Sequence, residues 1–198
     1  MPESSLVLAS GSPRRRELLS RLKVPFATIP AEIAETARPG ESPRELAERL
    51  AREKAEVVAA QLGRTPRRVV LGSDTIVVLG EEVLGKPRDP EHALALLRKL
   101  AGCTHLVLTG IAVVESDTGR ARSRVVESRV TLRRADEREL RDYVATGEAL
   151  DKAGAYALQG AGRRFVTEVE GSETNVIGLP LEETLAMLKD AGVEIPGC

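Results

Sequence analysis

An aspartate lies in the middle of a segment that is otherwise apolar. Gly72-Ser-Asp-Thr75 interrupts the β-branched run from Val69 to Leu79. Burying a lone carboxylate costs several kcal/mol unless a cation or hydrogen-bond donors meet it, so we expect Asp74 to face a cleft. The alternative is a β-bulge or a tight turn in which the carboxylate only accepts backbone hydrogen bonds. In a cleft, Asp74 could activate a water molecule or hold a divalent cation.

Basic residues are concentrated where the first predicted strand meets a helix. The segment Ser10-Gly-Ser-Pro-Arg-Arg-Arg16 places Ser12 as a helix N-cap and Pro13 at the first helical position. Three arginines in a first helical turn oppose the helix dipole, and free backbone N–H groups there attract anions, so a phosphate would compensate them. The alternative is a solvated basic face answered by Glu17. The segment lacks the GxxxxGK[ST] pattern, which argues against ordinary P-loop chemistry.

Five other polar residues have side chains that suit nucleotide chemistry. Lys54 lies on a predicted helix, Lys86 in a short loop and Glu35 in an irregular stretch, while Lys152 and Gln159 share a longer loop. Each has an ordinary alternative, which is an intrahelical ion pair for Lys54 and a plain surface position for the others. Taken together with Asp74, they supply cations for a polyphosphate, carboxylates for a metal or a water, and an amide for a base edge. This inventory predicts cleavage of a phosphoanhydride bond.

Composition excludes several other classes of function. The 29 basic and 30 acidic residues leave a net charge of -1, and aromatic residues make up only 2%, so neither a global basic field nor a base-stacking surface is available for nucleic acid. No apolar run reaches membrane-spanning length. Cys103 and Cys198 show no metal-ligand spacing and too low a density for a disulfide scaffold, which predicts a reducing cytosol. His92 and His105 fit neither a zinc motif nor a catalytic triad and are interpreted as incidental.

Hydrophobic periodicity and turn signals define the elements that must position these residues. Predicted strands cover residues 6–10, 69–79, 83–84, 106–114 and 124–132, with shorter ones at 155–158, 165–169 and 176–177. Predicted helices cover residues 14–22, 43–62, 90–100, 136–145 and 181–191. The strands around Asp117-Thr118-Gly119 are expected to form an antiparallel hairpin.

The helix that ends near residue 62 has the clearest start. Ser42 and Glu45 form a capping box, and Pro43 occupies the first helical position. Its apolar stripe is expected to contain Leu46, Leu50 and Val57. Lys54 lies within the same helix, so the direction in which this helix packs decides whether Lys54 is buried.

Alternating βαβ units combined with hairpins predict an α/β fold on a mixed β-sheet with flanking helices. The length suits a single compact domain over residues 1–198, and a division into two lobes around a cleft is expected.

Seven short segments, read in order along the chain, resemble the Maf family. They are Leu8-Ala-Ser-Gly-Ser-Pro-Arg-Arg15, Glu53-Lys54, Gly72-Ser-Asp-Thr75, Gly85-Lys-Pro87, Thr109-Gly110, Asp151-Lys-Ala-Gly-Ala-Tyr156 with Gln159, and Asn175-Val-Ile-Gly-Leu-Pro180. The resemblance covers nearly the entire chain. It implies a Mg²⁺- or Mn²⁺-dependent enzyme that removes pyrophosphate from pyrimidine or noncanonical nucleoside triphosphates, on a fold similar to the inosine triphosphatases (the Maf/HAM1 fold).

The resemblance also implies residue roles. Asp74 matches the proton acceptor of the family and, with Glu35, would hold the metal, although Ala34 stands where members often have a second acidic residue. Specificity positions would be Arg14, Thr75 and Gln159, and phosphates would be held by Ser10, Arg15, Lys54, Lys86 and Lys152. The segment from Asp151 to Tyr156, with Gln159, resembles the branch that acts on dTTP and UTP. Sequence leaves open whether Asp74 is the base or only a metal ligand.

Two alternatives belong to other classes of function or substrate. The same phosphate-binding residues would serve a nucleotide-binding regulator of septum formation and cell division, with which the family has been associated. A purine pyrophosphatase acting on 7-methyl-GTP or ITP is the second alternative. The resemblance further implies a homodimer and a small-molecule nucleotide as the partner. Composition predicts a cytosolic location and no nucleic-acid or membrane partner.

Overall fold

The computed structural model describes residues 5–196. The strands are β1 (Leu6–Ala9), β2 (Phe26–Thr28), β3 (Val69–Leu79), β4 (Glu82–Leu84), β5 (Thr104–Glu115), β6 (Ala121–Leu132) and β7 (Val166–Glu170). The helices are α1 (Pro13–Ser20), α2 (Pro43–Leu62), α3 (Pro90–Leu100), α4 (Glu137–Ala145), α5 (Glu173–Ile177) and α6 (Leu181–Asp190). Short 3-10 segments cover Ala153–Ala155 and Gly160–Phe165. Residues 1–4 and 197–198 of the predicted 1–198 domain, Cys198 included, lie outside the described residues.

The strands form one mixed sheet in the order β2-β1-β3-β5-β6-β7, and β4 pairs with β3. β1 pairs in parallel with both β2 and β3, with Ala9 opposite Gly72. The β3–β4 and β6–β7 pairs are antiparallel. The prediction of a mixed sheet with flanking helices is therefore confirmed.

The chain divides into two compact units. The first contains residues 5–74, 109–126 and 178–196, and the second contains residues 75–108 and 127–177. The core of the first unit includes a cluster of small apolar residues from β1, α2, β3 and β5, such as Val7, Ala55 and Val70. Leu8 and Ile111 are also fully buried in this unit. The second has a core that includes Tyr143 and Phe165. Whether the whole chain acts as one domain around a cleft stays a prediction.

Helix α2 begins and packs as its sequence dictates, with one difference. The side chain of Ser42 accepts a hydrogen bond from the backbone of Glu45, and the Glu45 carboxylate accepts one from the Ser42 backbone, so the capping box is present. The buried face contains Val58, whereas Val57 is only half-buried, so the predicted stripe was wrong by one position. The buried face of the helix follows its alanines, which allow it to lie close to the sheet, and Val58 lies on the same face as they do.

Two glycines on neighbouring strands determine how close α2 comes to the sheet. A Cβ at Gly72 on β3 would lie 2.1 Å from the carbonyl oxygen of Ala51, and a Cβ at Gly110 on β5 would lie 2.1 Å from that of Ala47. Both distances are far inside van der Waals contact, so only glycine permits this approach. The glycines of the Gly72-Ser-Asp-Thr75 and Thr109-Gly110 segments therefore fix the position of the helix that carries Lys54.

Two predicted strands near the C-terminus were wrong. Residues 155–158 do not form a strand, because Gly154 and Ala155 have φ angles of 69° and 59°, which end any extended conformation. Residues 176–177 belong to helix α5, whose first turn includes a hydrogen bond from the Val176 N–H to the Ser172 carbonyl. The remaining predicted strands and helices are present with boundaries within a few residues, and β2 was not predicted.

Candidate active site

A buried ion pair joins helix α2 to strand β3. The Lys54 ammonium lies 2.6 Å from Asp74 Oδ1, and the two residues are 7% and 6% exposed. Lys54 faces the sheet because α2 is held against Gly72, two residues before Asp74. The cost of burying the Asp74 carboxylate within an apolar strand is thus offset by a cation that is itself buried. The interpretation of Asp74 as a turn residue that only accepts backbone hydrogen bonds is wrong, since β3 is continuous from Val69 to Leu79 and the carboxylate pairs with Lys54.

Glu35 is the second carboxylate at Lys54. Its Oε1 atom lies 2.5 Å from Lys54 Nζ, and its side chain is about half-exposed. The intrahelical ion pair considered for Lys54 is not what forms, because Glu53 pairs with Arg38 and Arg49 instead. Lys54 therefore bridges one buried and one accessible carboxylate.

The turn before α1 adds hydroxyl and guanidinium groups to the same unit. Ser12 caps the helix by accepting a hydrogen bond from Arg15 N–H, and the Ser12 N–H donates to Ser10 Oγ. Ser10 is buried and also lies 3.4 Å from an Arg15 guanidinium nitrogen. Arg14 is half-buried and Arg16 is exposed. The Glu17 side chain pairs with Arg21, one turn further along.

Arg15 connects this turn electrostatically to the carboxylates. Burial lowers the pKa of Arg15, the nearby Asp74 and Glu35 raise it, and Arg14 lowers it, so that the pKa lies below its ordinary value. A guanidinium remains protonated at any physiological pH. The site therefore presents a permanent positive charge beside two carboxylates, a combination suited to a phosphate chain with its charge-balancing cation.

The backbone carbonyl of Gly178, which the sequence does not single out, accepts hydrogen bonds from two residues of the site. Arg15 Nε donates to the carbonyl oxygen of Gly178 over 2.9 Å, and the buried Ser73 hydroxyl donates to the same oxygen over 3.0 Å. Ser73 immediately precedes Asp74, so this contact fixes the strand beside the Asp74 carboxylate. The resemblance placed Gly178 in a family segment, but no side-chain signal could have revealed the role of its carbonyl.

The other predicted site residues lie in the second unit. Thr75 follows Asp74 on β3 and is half-buried, Lys86 is exposed in the loop after β4, and Gln159 is half-buried before the second 3-10 segment. The Gly154 N–H donates to the Gly85 carbonyl, which brings the Lys86 loop next to the loop that begins at Lys152. The Lys152 ammonium contacts the Glu148 carbonyl and the Asp151 carboxylate.

The two histidines have contacts that the sequence did not suggest. His105 is buried on β5, and its Nε2 lies 2.8 Å from the Tyr156 hydroxyl. Burial lowers the pKa of His105 to about 4, so the ring is neutral at pH 7. His92 Nδ1 accepts a hydrogen bond from the Arg88 N–H at the start of α3. Neither contact contradicts the interpretation that the histidines take no part in chemistry.

The carboxylates suit a hard divalent cation. Mg²⁺ in nucleotide enzymes is held by one or two protein carboxylates together with phosphate oxygens and water. Asp74 and Glu35 fit that requirement, because an oxygen of each contacts the same Lys54 nitrogen. Among residues 5–196, no group of three or more His, Cys, Asp or Glu side chains is arranged to hold a metal. Substrate phosphates would therefore have to complete the coordination.

The geometry defines a class, an α/β protein with an arginine-rich helix N-terminus and a buried carboxylate–lysine pair. A family model described as Maf-like protein matches residues 5–191. The chain belongs to this family. The dTTP/UTP pyrophosphatases of Anaeromyxobacter dehalogenans and Myxococcus xanthus are 52% and 51% identical to it, over 96% and 98% of this chain and 96% of each relative. That of Escherichia coli O157:H7 is 49% identical over 94% of this chain and 93% of its own.

A solved structure also aligns with the chain. The Ham1 protein of Staphylococcus aureus aligns over 94% of this chain and 98% of its own at 15% identity, with a TM-score of 0.47. Family membership comes from the sequence matches alone.

Between residues 5 and 196, no helix combines the length and the apolar character needed to cross a bilayer.

Proposed function

We propose that this chain hydrolyses dTTP and UTP to the nucleoside monophosphate and pyrophosphate, in a house-cleaning role that extends to modified pyrimidine nucleotides. The observation that carries the proposal is the Lys54–Asp74 pair, because it holds a buried carboxylate beside phosphate-binding groups. The names of relatives that are about half identical over nearly the full length supply the substrate.

Asp74 is proposed as the general base. A water molecule would attack the α-phosphorus while Asp74 accepts one of its protons, and the bond between the α-phosphorus and the bridging oxygen would break as pyrophosphate leaves. Lys54 would keep the Asp74 carboxylate oriented through its 2.6 Å contact. The same carboxylate would share the metal with Glu35, so that both roles considered for Asp74 are filled by one side chain.

A divalent cation, Mg²⁺ or Mn²⁺, would be held by Asp74 and Glu35. When bound, it would neutralise charge on the phosphate oxygens and on the leaving pyrophosphate. Removing divalent cations with a chelator is expected to abolish turnover, and adding Mg²⁺ or Mn²⁺ back is expected to restore it. Full activity in excess chelator would contradict the metal assignment.

Phosphate binding is proposed for five side chains. Ser10 and Arg15 lie at the N-terminus of α1, where backbone N–H groups and the helix dipole favour an anion. Lys54, Lys86 and Lys152 would add further positive charge. Arg14, Thr75 and Gln159 are proposed as specificity residues. The Gln159 amide offers both a donor and an acceptor, which suits the N3–H and O4 groups of uracil and thymine.

A panel of nucleoside triphosphates tests the substrate assignment. Pyrophosphate release is measured at multiple turnover with dTTP, UTP, dCTP, CTP, ITP and 7-methyl-GTP, in Mg²⁺ and in Mn²⁺. The highest kcat/KM is expected for dTTP and UTP, because kcat/KM measures discrimination between competing substrates. A preference for ITP or 7-methyl-GTP would replace the pyrimidine assignment. Tight binding without multiple turnover would favour the regulator of cell division.

A cytosolic location and a homodimer complete the proposal. Cys103 is a free thiol, which is consistent with a reducing compartment. Light scattering at several protein concentrations measures the assembly, with twice the 21.3 kDa chain mass expected. A mass that stays at one chain would rule out the dimer.

A further inference from the structure

A glutamate outside the predicted site organises the loop that carries Gln159. Glu148 follows α4 and is half-buried. Its Oε2 atom accepts a hydrogen bond from the Ala161 N–H, and its Oε1 atom accepts one from the Gly162 N–H, each over 2.9 Å. The carboxylate therefore holds two consecutive backbone amides that begin two residues after Gln159.

The other contacts of Glu148 connect this loop to the core of the second unit. The Tyr143 hydroxyl donates to Glu148 Oε1 over 3.0 Å, and Tyr143 is fully buried in an edge-to-face contact with Phe165. Burial works to raise the pKa of Glu148, but the hydrogen bonds from Gly162, Ala161 and Tyr143 outweigh it and hold the pKa below its usual value. The carboxylate thus stays ionised, which strengthens each of these hydrogen bonds.

The two glycines that flank Ala161 leave no room for a side chain next to the Glu148 carboxylate and its partners. Gly160 has a φ of 82°, and a Cβ there would lie 2.4 Å from Glu148 Oε2. A Cβ at Gly162 would lie 2.7 Å from both the Ala157 carbonyl and the Tyr143 hydroxyl. A larger residue at Gly160 would therefore displace the Glu148 carboxylate, and one at Gly162 would displace the Tyr143 hydroxyl that donates to it or the Ala157 backbone.

Glu148 also contacts the second predicted ligand of this loop. Its backbone carbonyl accepts a hydrogen bond from the Lys152 ammonium over 2.5 Å. One residue thereby touches both ends of the segment from Lys152 to Gly162, which carries a proposed phosphate ligand and a proposed base-reading amide.

We propose that Glu148 is a positioning residue for substrate selection, which fixes the backbone after Gln159 so that its amide meets the base in one orientation. This inference rests on the proposed function. A glutamine amide can turn over to match either uracil or cytosine, because it carries a donor and an acceptor of similar shape. A fixed backbone limits the positions from which the Gln159 amide can reach the base, and so limits which of the two bases it can match. Glu148 acts through Gln159 and touches no reacting atom.

A double-mutant cycle tests this role. The kcat/KM values for UTP and CTP are measured for the wild type, Glu148→Gln, Gln159→Ala and the double variant. Glu148→Gln is expected to lower kcat/KM for UTP by about tenfold, mainly through KM, and to lower the UTP/CTP ratio. In the Gln159→Ala background, the same change is expected to alter that ratio by less than about twofold, because the residue it positions is gone.

Two further variants accompany this measurement, one as a milder version of the change and one as a control. Tyr143→Phe removes the hydrogen bond that the Tyr143 hydroxyl donates to Glu148, and its hydrogen bond with the Ala157 backbone, but leaves the Glu148 contacts with the Ala161 and Gly162 N–H groups in place. A smaller shift in the same direction is expected, and this variant carries the test if Glu148→Gln does not fold. Glu168→Gln, an exposed change on β7, serves as the matched control and is expected to leave the ratio unchanged. A ratio that stays at the wild-type value in Glu148→Gln, or that falls equally in both backgrounds, would overturn the proposal.

Amide hydrogen exchange separates failure of this inference from failure of the proposed function. Exchange at the Ala161 and Gly162 N–H groups is expected to be faster in Glu148→Gln than in the wild type, with no substrate present. Wild-type protein that releases no pyrophosphate from dTTP or UTP would refute the proposed function. Unchanged exchange at both amides would refute the positioning role whatever the activity.

Discussion

The two units of this chain hold their polar site residues in different ways. In the first, Lys54 and Asp74 are side chains on a regular helix and a regular strand, paired directly and buried by close helix–sheet packing. In the second, Lys152 and Gln159 lie on an irregular loop that is held through backbone amides by Glu148. The first arrangement places charges with little freedom, whereas the second places a recognition group whose position depends on a chain of hydrogen bonds.

Under the proposed function, Lys54 and Asp74 would act on phosphate and Gln159 would select the base. This division between the units is not complete, because Lys86 and Lys152 would also bind phosphate and Arg14 would also contribute to specificity. Groups that act on phosphate need fixed charge, and a buried ion pair between regular elements supplies it. Groups that select a base need a shape that can differ between relatives, and loops accept such changes more readily than strands or helices. The comparison therefore predicts that damage to the first unit removes stability and turnover together, while damage to the second changes substrate choice more than it changes folding.

The largest stability effect is expected when the ion pair is broken. Lys54→Met leaves the Asp74 carboxylate buried without its cation, which should lower the free energy of unfolding by about 3 to 5 kcal/mol in urea denaturation. Arg52→Met, which removes an exposed pair with Glu56 on the same helix, is the matched control and should cost no more than about 0.5 kcal/mol. The double variant Lys54→Met/Asp74→Leu should recover most of the loss. Equal effects of the two single changes would refute the distinction between a buried and a surface pair.

The next largest effect concerns the packing of α2 on the sheet. Gly72→Ala places a methyl group 2.1 Å from the Ala51 carbonyl oxygen, so the helix must move and the unfolding free energy should fall by about 3 kcal/mol. Gly85→Ala is the control, because a Cβ there meets nothing within 4 Å and the backbone is not left-handed. Thermal melts of both variants measure the difference. If Gly72→Ala has the same melting temperature as the wild type, close packing at this strand does not position Lys54.

A smaller, pH-dependent effect is expected in the second unit. Burial lowers the pKa of folded His105 to about 4, against 6.5 in an unfolded chain. Below pH 6.5 the unfolded state binds a proton that the folded state does not, so stability falls as the pH falls toward 4 and levels off below it. The loss at pH 5 should be about 2 kcal/mol.

Urea denaturation between pH 7.5 and 4 measures this loss. Replacing His105 with glutamine should remove that part of the pH dependence, whereas His92→Gln, at a half-buried position on α3, should leave it unchanged. If the unfolding free energy depends on pH in the same way in the wild type and in His105→Gln, the histidine is not buried in its neutral form.

Much of the fold and half of the site could be predicted from the sequence. The capping box at Ser42 and the β-branched run around Asp74 depend on local signals, and both elements formed as predicted. The residues of the two predicted strands that failed, 155–158 and 176–177, are apolar, but a left-handed backbone at Ala155 and a short helix at Val176 override that pattern. Local composition does not encode such tertiary constraints.

Within the site, too, residues with a local sequence signal could be predicted and those that depend on tertiary contacts could not. Asp74 stood out because a carboxylate in an apolar strand requires a partner, and Lys54 proved to be that partner. Glu148 and the Gly178 carbonyl gave no such signal, because a glutamate after a helix is ordinary and every residue has a carbonyl. Their roles depend on contacts across 14 and 105 residues of sequence, which only the folded chain reveals.

The most direct test of the account is the turnover of Asp74→Asn. Asparagine keeps the size of the side chain and an acceptor for Lys54, but it cannot take a proton from water. Pyrophosphate release from dTTP at multiple turnover is expected to fall by about 10² to 10⁴ in kcat, with the exposed change Asp142→Asn on α4 as the unaffected control. Release by Asp74→Asn at a rate near that of the wild type would contradict the assignment of Asp74 as the base.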